Sequence, residues 1–350
     1  MEDVKSIDRD AFGQLLPFID DDNITDIDIN DGLVWTRNVH MQRENTNIQL
    51  EPSFINVFTN KVANMTRGGQ LNQANPVLES DTSSLRFSII HESVTTTGRS
   101  ICIRKTPPKI RLTEQMAIDS GYMSKKTMNF LANCIKAGMT VVVGGEIGVG
   151  KTECIKFLTK YIGETERVVT LEDSPELHYK EIFPNRDCVS MYTSPTMNYS
   201  EALKAIMRQD CTRIILSEAR SEEVKELMAS LSSGSSGLTT LHTDDVRNIP
   251  SRILSMMPNR NDADRLENDV YSFIDVGIIL RAKTLPDGKK LRYIDQLGIF
   301  SNTNGENRCD LLVSHGKNVE TDRLPEKVMT KFEIKEIENP FVYADGLNIS

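Results

Sequence analysis

The sequence predicts an α/β protein in which a mostly parallel sheet forms the larger core, with a smaller α+β domain before it. Three observations predict this. From Thr140 onward, short β-branched or aliphatic runs alternate with segments of helical periodicity. One of those runs, residues 140–143, passes directly into Gly144-Gly145-Glu146-Ile147-Gly148-Val149-Gly150-Lys151-Thr152, and the G-x-x-x-x-G-K-T spacing from Gly145 to Thr152 is that of a phosphate-binding loop. Residues 1–106 lack the alternation and read as short strands around a helix.

Residues 24–29 (Ile-Thr-Asp-Ile-Asp-Ile) form a short strand, and Asn30-Asp31-Gly32 turns the chain into a second strand from Leu33. Phe54, Val57, Phe58 and Val62 mark the apolar face of a helix. Residues 85–90 and 100–104 are two further strands. Thr106-Pro107-Pro108 breaks regular structure, because proline has no N–H to donate and restricts the residue before it. A linker is therefore expected over 107–120, with Thr113 capping a short helix inside it. Residues 124–137 follow as a helix with Met128, Leu131, Ala132 and Ile135 on one face. Strands are expected at 140–143, 167–171, 213–216, 238–241 and 276–280, with helices that include 199–208 and 222–231. After the phosphate loop, Ile155, Leu158 and Ile162 recur at helical spacing, and Gly163 is the expected stop. Pro286-Asp287-Gly288 reads as a hairpin turn between two late strands. The expected division is an N-terminal domain at 1–106, a linker at 107–120, the core at 121–300 and a C-terminal extension at 301–350. That extension is polar and weakly periodic, and no chemistry is assigned to it.

Composition bounds the function. With 39% hydrophobic and 26% charged residues over 350 positions, the chain reads as soluble and large enough for real cores. A net charge of −9 disfavours a dedicated nucleic-acid binder. Residues 1–10 are acidic and polar, so no secretory signal is expected, and no apolar run approaches the ~18 residues of a membrane span. Membrane association is then expected through partners. Six cysteines are widely scattered without a C-x-x-C pair, as reduced thiols are.

In open α/β sheets, ligands bind beyond the carboxyl ends of the strands. Here 140–143 runs into the phosphate loop, and 167–171 into Glu172-Asp173 with Glu176 close behind. The next two, 213–216 and 238–241, run into Ser217-Glu218-Ala219-Arg220 and His242-Thr243. Singly, such acids are often solvated turn residues and such a histidine is often structural. Following a phosphate loop, they point together to nucleotide chemistry. Glycines let backbone N–H groups turn toward phosphate oxygens, Lys151 supplies positive charge to the β/γ-phosphates, and the Thr152 hydroxyl suits Mg2+. An acid at a strand end, as Glu218 is, holds Mg2+ or its water.

These residues resemble the type II/type IV secretion ATPase superfamily. Thr170-Leu171-Glu172-Asp173-Ser174-Pro175-Glu176 resembles its acidic box. Arg208-Gln209-Asp210 followed by residues 213–220 (Arg-Ile-Ile-Leu-Ser-Glu-Ala-Arg) resembles its Walker B region, and residues 237–243 (Gly-Leu-Thr-Thr-Leu-His-Thr) its histidine box. Ser84-Leu85-Arg86-Phe87 and residues 100–105 (Ser-Ile-Cys-Ile-Arg-Lys) resemble the arginine-bearing strands of its N-terminal domain. The resemblance covers roughly residues 20–315. It implies a RecA-like ATPase core, ATP and Mg2+ as cofactors, and a homo-hexameric ring. It also implies a cytoplasmic location on the inner face of a membrane machine for secretion, pilus assembly or conjugative transfer, with an inner-membrane platform protein as partner. It implies a nucleotide-binding set of Gly145, Glu146, Ile147, Gly148, Val149, Gly150, Lys151, Thr152 and Glu153, with Thr152 and Glu218 toward the metal. Glu172 is the first choice to orient or deprotonate the attacking water, with Asp173 and Glu176 as alternatives. His242 is expected to sense the γ-phosphate, and Arg86 and Arg104 to face the nucleotide. Ser217 and Ser221 stand where glycine is usual, Cys211 where proline is common, and Glu146 near a position usually small or hydroxylated; none of these removes a charge the chemistry requires. The rival readings are a nucleotide-binding scaffold subunit with little hydrolysis and, more weakly, a DNA motor.

Overall fold

The computed structural model describes residues 7–65, 69–257, 263–320 and 323–343. Residues 1–6, part of the acidic opening stretch, lie outside them. The chain divides into two compact units. The first is Met1–Pro108 with Ser174–Glu176 and Thr284–Lys290, and the second is Lys109–Asp173, Leu177–Lys283 and Leu291–Ser350.

The first unit is an antiparallel sheet built from β1 (Ile24–Asn30), β2 (Leu33–Asn38), β3 (Arg43–Gln49), β4 (Val77–Asp81), β5 (Leu85–Ile90) and β6 (Ser100–Lys105), in the order β3-β2-β1-β6-β5-β4. Strand alternation sends Ile27, Ile29, Phe87, Ile89, Ile101 and Ile103 to one face, all at most 1% exposed. Helices α1 (Leu16–Asp20) and α2 (Pro52–Met65) belong to the same unit. On α2 the buried stripe is Ile55, Phe58, Thr59, Val62 and Ala63, at i, i+3, i+4, i+7 and i+8. Val57, expected on that face, is 56% exposed, since it falls two positions after Ile55 and faces away. Asp31 and Gly32 both have positive φ (51° and 74°), so the β1–β2 link is a two-residue hairpin of the kind Asp-Gly favours.

Among the described residues, the second unit holds a nine-stranded sheet. Its strands are β7 (Val141–Gly145), β8 (Val168–Glu172), β9 (Cys188–Tyr192), β10 (Arg213–Leu216), β11 (Ser236–Leu241), β12 (Val276–Thr284), β13 (Lys290–Thr303), β14 (Glu306–Ser314) and β15 (Lys317–Asn318). The order is β15-β14-β13-β12-β7-β11-β10-β8-β9. The strands from β12 through β9 in that order pair in parallel, while β13, β14 and β15 pair antiparallel. Every residue of β7, β8, β10 and β11 is buried, as a parallel sheet covered on both faces requires. Val141, Val143 and Ile215 enter one core, together with α3 (Glu114–Asp119), α4 (Lys125–Lys136) and α5 (Lys151–Thr159). Val142, Ile214 and Leu216 enter the other, with α7 (Tyr199–Ile206), α8 (Val224–Ser232), α9 (Ile249–Met256) and α10 (Ala263–Phe273). A short helix, α6 (Tyr179–Ile182), lies between β8 and β9 in the chain. Among the described residues, no helix is long and apolar enough to cross a membrane.

Three local features bear on the expectations. The stretch 107–120 contains α3, capped by Thr113, whose hydroxyl oxygen accepts the Met116 N–H at 3.1 Å; Ala117 is fully buried in the larger core. Helix α5 stops at Thr159 rather than running to Gly163, because the chain tightens into i→i+3 bonds from Lys160 to Ile162, which still bury Ile162. Finally, the described residues beyond 300, expected as a polar, weakly periodic extension of the core, carry apolar packing. The end of β13, with β14 and β15, extends the sheet, and α11 (Glu326–Ile334) buries Val328 and Phe332 in the same core as α4. Phe341 stacks on Phe130 with ring centroids 5.4 Å apart.

Candidate active site

Strand β7 delivers the phosphate loop and α5 receives it, starting at Lys151. Gly150, the residue before the helix, sits at φ 98°, a left-handed conformation that strains any residue with a Cβ. Gly145 is constrained twice: its φ is 146°, and a Cβ there would lie 2.8 Å from both the Leu280 carbonyl oxygen and Val149 Cγ1. Between them Glu146, Ile147 and Gly148 are exposed while Val149 is buried and anchors the loop. Ile147 is 79% exposed, a large apolar side chain held in solvent by a loop whose backbone does the work.

The four strand ends stand side by side in the order β7, β11, β10, β8. Register pairs Leu241 with Gly144 and Leu216 with both Thr239 and Leu171, so the chemistry-bearing residues leave one edge of the sheet. A continuous polar chain runs across that edge. Lys151 Nζ donates to the carbonyl oxygens of Gly145 and Glu146, each at 3.0 Å, and lies 3.3 Å from His242 Nδ1. His242 Nε2 is 2.8 Å from Glu218 Oε1. Arg220 Nε donates to Glu218 Oε2 at 2.7 Å, and its Nη1 donates to Asp173 Oδ2 at 2.8 Å. Burial lowers the pKa of the Lys151 ammonium, with the Glu218 charge acting against it. Burial also acts to lower Arg220, but its hydrogen bond to Glu218 and the Asp173 charge outweigh that and raise it.

Glu172 occupies a different setting. It is 1% exposed, and its Oε1 accepts the Leu177 N–H at 2.8 Å, so this carboxylate braces the loop that follows β8. Asp173, one residue on, is the acid that joins the polar chain. Glu176 belongs to the first unit, where it lies 3.8 Å from Arg86 Nη1. Thr152 is partly buried at the second position of α5, and Glu153 follows it, 3.7 Å from Lys156 Nζ.

Two arginines near the site were not assigned roles in the sequence reading. Arg220 lies within the Walker B-like run, two residues after Glu218, and that proximity was the available signal. Arg292 on β13 carried none. Its Nη2 donates to the Gly148 carbonyl at 3.4 Å, and its Cδ lies 3.4 Å from where a Gly150 Cβ would be, so it lines the phosphate loop from a distant strand.

In the first unit, Arg86 on β5 and Arg104 on β6 are direct cross-strand partners. Like charges so placed repel. Asp26, opposite Arg104 on β1, accepts from its Nε at 3.0 Å. Burial acts to lower the Arg104 pKa, and the Asp26 carboxylate more than offsets this.

The residues fit a nucleotide and a divalent cation. Glycines at 145 and 150 hold the loop in conformations that a Cβ would strain, and Lys151 Nζ lies against the loop's own carbonyl oxygens, where a phosphate would find it. Among the described residues no three His, Cys, Asp or Glu side chains converge into a metal cage. Thr152 on α5 and Glu218 beyond β10 are the groups that would hold a divalent cation, together with phosphate oxygens and water.

The RecA-like α/β core thus sets a glycine-rich strand–loop–helix beside acids and a histidine at the ends of adjacent strands. The sequence matches the model of the type II/IV secretion system protein family over residues 53–287, and the chain belongs to that family. An uncharacterized protein of Bacillus anthracis is 25% identical over 235 residues, covering 67% of this chain and 53% of its own length. Type IV secretion system protein PtlH of Bordetella pertussis is 29% identical over 180 residues, covering 48% and 52%. The chain thus spans about half the length of the curated relatives it matches. Among solved structures, the pilus retraction motor PilT with bound ADP aligns with a TM-score of 0.63 at 15% identity, over 95% of this chain and 87% of its own. The ATPase DotB of Legionella pneumophila aligns with a TM-score of 0.58 at 18% identity, over 79% and 77%. At these identities the likeness is one of fold.

Proposed function

We propose that the chain is a Mg2+-dependent ATPase that powers secretion, pilus assembly or conjugative transfer as a homo-hexameric ring on the cytoplasmic face of a membrane complex. The observation that carries this reading is the polar chain from Lys151 through His242, Glu218 and Arg220 to Asp173, laid across the ends of adjacent parallel strands beside the phosphate loop.

Residues Gly145 to Glu153 wrap the polyphosphate, with Lys151 as its cation. Thr152 and Glu218 would hold the metal, which would supply positive charge to the polyphosphate. His242 registers the γ-phosphate on this reading, which its contacts with both Lys151 and Glu218 support. Glu172 or Asp173 orients the attacking water: Glu172 has the rigid position, Asp173 the place in the polar chain. Arg86 and Arg104 form a paired cationic patch suited to charge on a transferring phosphoryl group. Catalysis on this reading is positioning and charge stabilisation.

The scaffold alternative draws on Glu172, whose burial and bond to Leu177 would suit a bracing residue. Phosphate release by the purified chain, with Mg2+ and with chelator, decides between them. Mg2+-dependent release that disappears in Lys151→Ala supports the enzyme. ATP binding without release, in the wild type, makes it a scaffold.

A further inference from the structure

We infer that Arg220 is a positioning residue that keeps the resting site closed to the metal, an inference that rests on the Mg2+-ATPase reading above. Both carboxylate oxygens of Glu218 are engaged: Oε1 with His242 at 2.8 Å and Oε2 with Arg220 at 2.7 Å. The same guanidinium reaches Asp173 through its Nη1 at 2.8 Å. Arg220 therefore joins acids from the ends of two neighbouring strands that would otherwise repel, and a planar fork does this where a single ammonium would not.

The base of the fork is itself fixed. Glu223, 5% exposed, accepts the backbone N–H groups of both Arg220 and Ser221 on one oxygen, Oε1, at 2.7 and 2.9 Å. The Arg220 side chain, by contrast, is 51% exposed. A pinned backbone with a solvent-facing side chain is the arrangement of a latch. The guanidinium can leave Glu218 for water while remaining near Asp173, and the peptide that carries it does not move. Any divalent cation or metal-bound water that takes Glu218 as its acceptor must first displace Arg220 or His242. The resting site is thus charge-paired, and metal entry is coupled to release of the link between the acidic box and the Walker B strand.

The test is Mn2+ binding followed by its free-ion electron paramagnetic resonance signal, on the full chain loaded with ATPγS and freed of unbound nucleotide, which would itself chelate Mn2+; ATPγS keeps turnover slow on the time of the measurement. Removing the competing cation in R220A should tighten the apparent Mn2+ affinity by about fivefold, the scale of a half-exposed ion pair. R220Q, which keeps length and loses charge, should do the same and guards against misfolding of the smaller variant. R220K, which retains a charge beside Glu218, should shift it less than R220A. A wild type that binds Mn2+ and nucleotide, with R220A and R220Q at its own midpoint or weaker, overturns the latch alone. A wild type that binds no nucleotide overturns the ATPase reading and the latch together.

Discussion

Single residues decide the site through contacts that can be removed one at a time. Lys151→Ala takes the cation out of the loop, and both nucleotide affinity and phosphate release should fall to background, as read by equilibrium binding and a phosphate assay. Glu218→Gln and Glu172→Gln should retain nucleotide binding and lose hydrolysis; normal turnover in both would move the water-orienting role to Asp173 or Glu176. Gly145→Ala should destabilise by about 1–3 kcal/mol in a urea titration, because its methyl meets the Leu280 carbonyl and Val149 in a conformation alanine disfavours. Outside the site, Asp245 is bonded by Arg247 through its side chain and backbone, and its pKa is lowered to about 2. A depressed carboxyl pKa stabilises the fold above the unfolded value of about 3.9, and that contribution fades as pH falls through about 2. The melting-temperature gap between wild type and Asp245→Asn should therefore be full at pH 6 and shrink below pH 4.

Elements are locked by buried charges as much as by apolar faces. Asp275, fully buried just before β12, accepts the Thr140 N–H at 2.8 Å and pairs with Lys327 and Lys331 of α11 at 2.9 and 2.7 Å. It thus ties the last helix to the strand that feeds the phosphate loop. Asp275→Asn leaves the two lysines without their anion and should cost about 2–4 kcal/mol in chemical denaturation, with α11 losing amide-exchange protection first. A loss below ~0.5 kcal/mol would show that apolar packing of Val328 and Phe332 alone holds the helix. Arg213 acts similarly at the other end of β10. Fully buried, it bonds Glu166 at 2.9 Å and the Ile135 carbonyl at 2.8 Å, near the end of α4.

At the scale of the molecule, the role proposed for Arg86 and Arg104, stabilising charge on a transferring phosphoryl group, is open to direct test. Arg86→Ala and Arg104→Ala in the full chain should lower turnover at least tenfold while moving the melting temperature by only a few degrees, since both are partly exposed and lie outside the apolar core of their unit. A melting temperature that falls with activity intact would make them ordinary sheet residues. The thiols should be silent. All six cysteines stand free, and burial pushes Cys102, Cys154 and Cys309 up to about 12, with Asp28 adding to Cys102 and Asp310 to Cys309. Thiolate is scarce at neutral pH, so native alkylation should be slow and reductant should leave the melting temperature unchanged.

The sequence by itself determined the parts whose signal is local. Strands β7, β8 and β10 were legible as aliphatic runs, and β11 (Ser-Gly-Leu-Thr-Thr-Leu) as a short leucine and β-branched run. The phosphate loop was legible because its glycines and Lys151 are adjacent in the chain. The acids and His242 could be named because each directly follows a readable strand. What only the tertiary structure decided is what depends on residues distant in sequence. The edge strands β3 and β9 bury no residue fully, and β4 alternates in burial but fills its inward positions with Leu78 and Ser80, so none of the three shows an apolar period in the sequence. Strand β14 and helix α11 look polar because their partners, β13 and α4, supply the missing apolar surface. The choice between Glu172 and Asp173 as members of the polar chain followed from side-chain direction: adjacent strand-end residues point opposite ways, one into the core behind β8 and one toward Arg220. The partnership of Asp173 with Glu218, 45 residues apart and joined by Arg220, exists only because β10 and β8 are neighbours in the sheet.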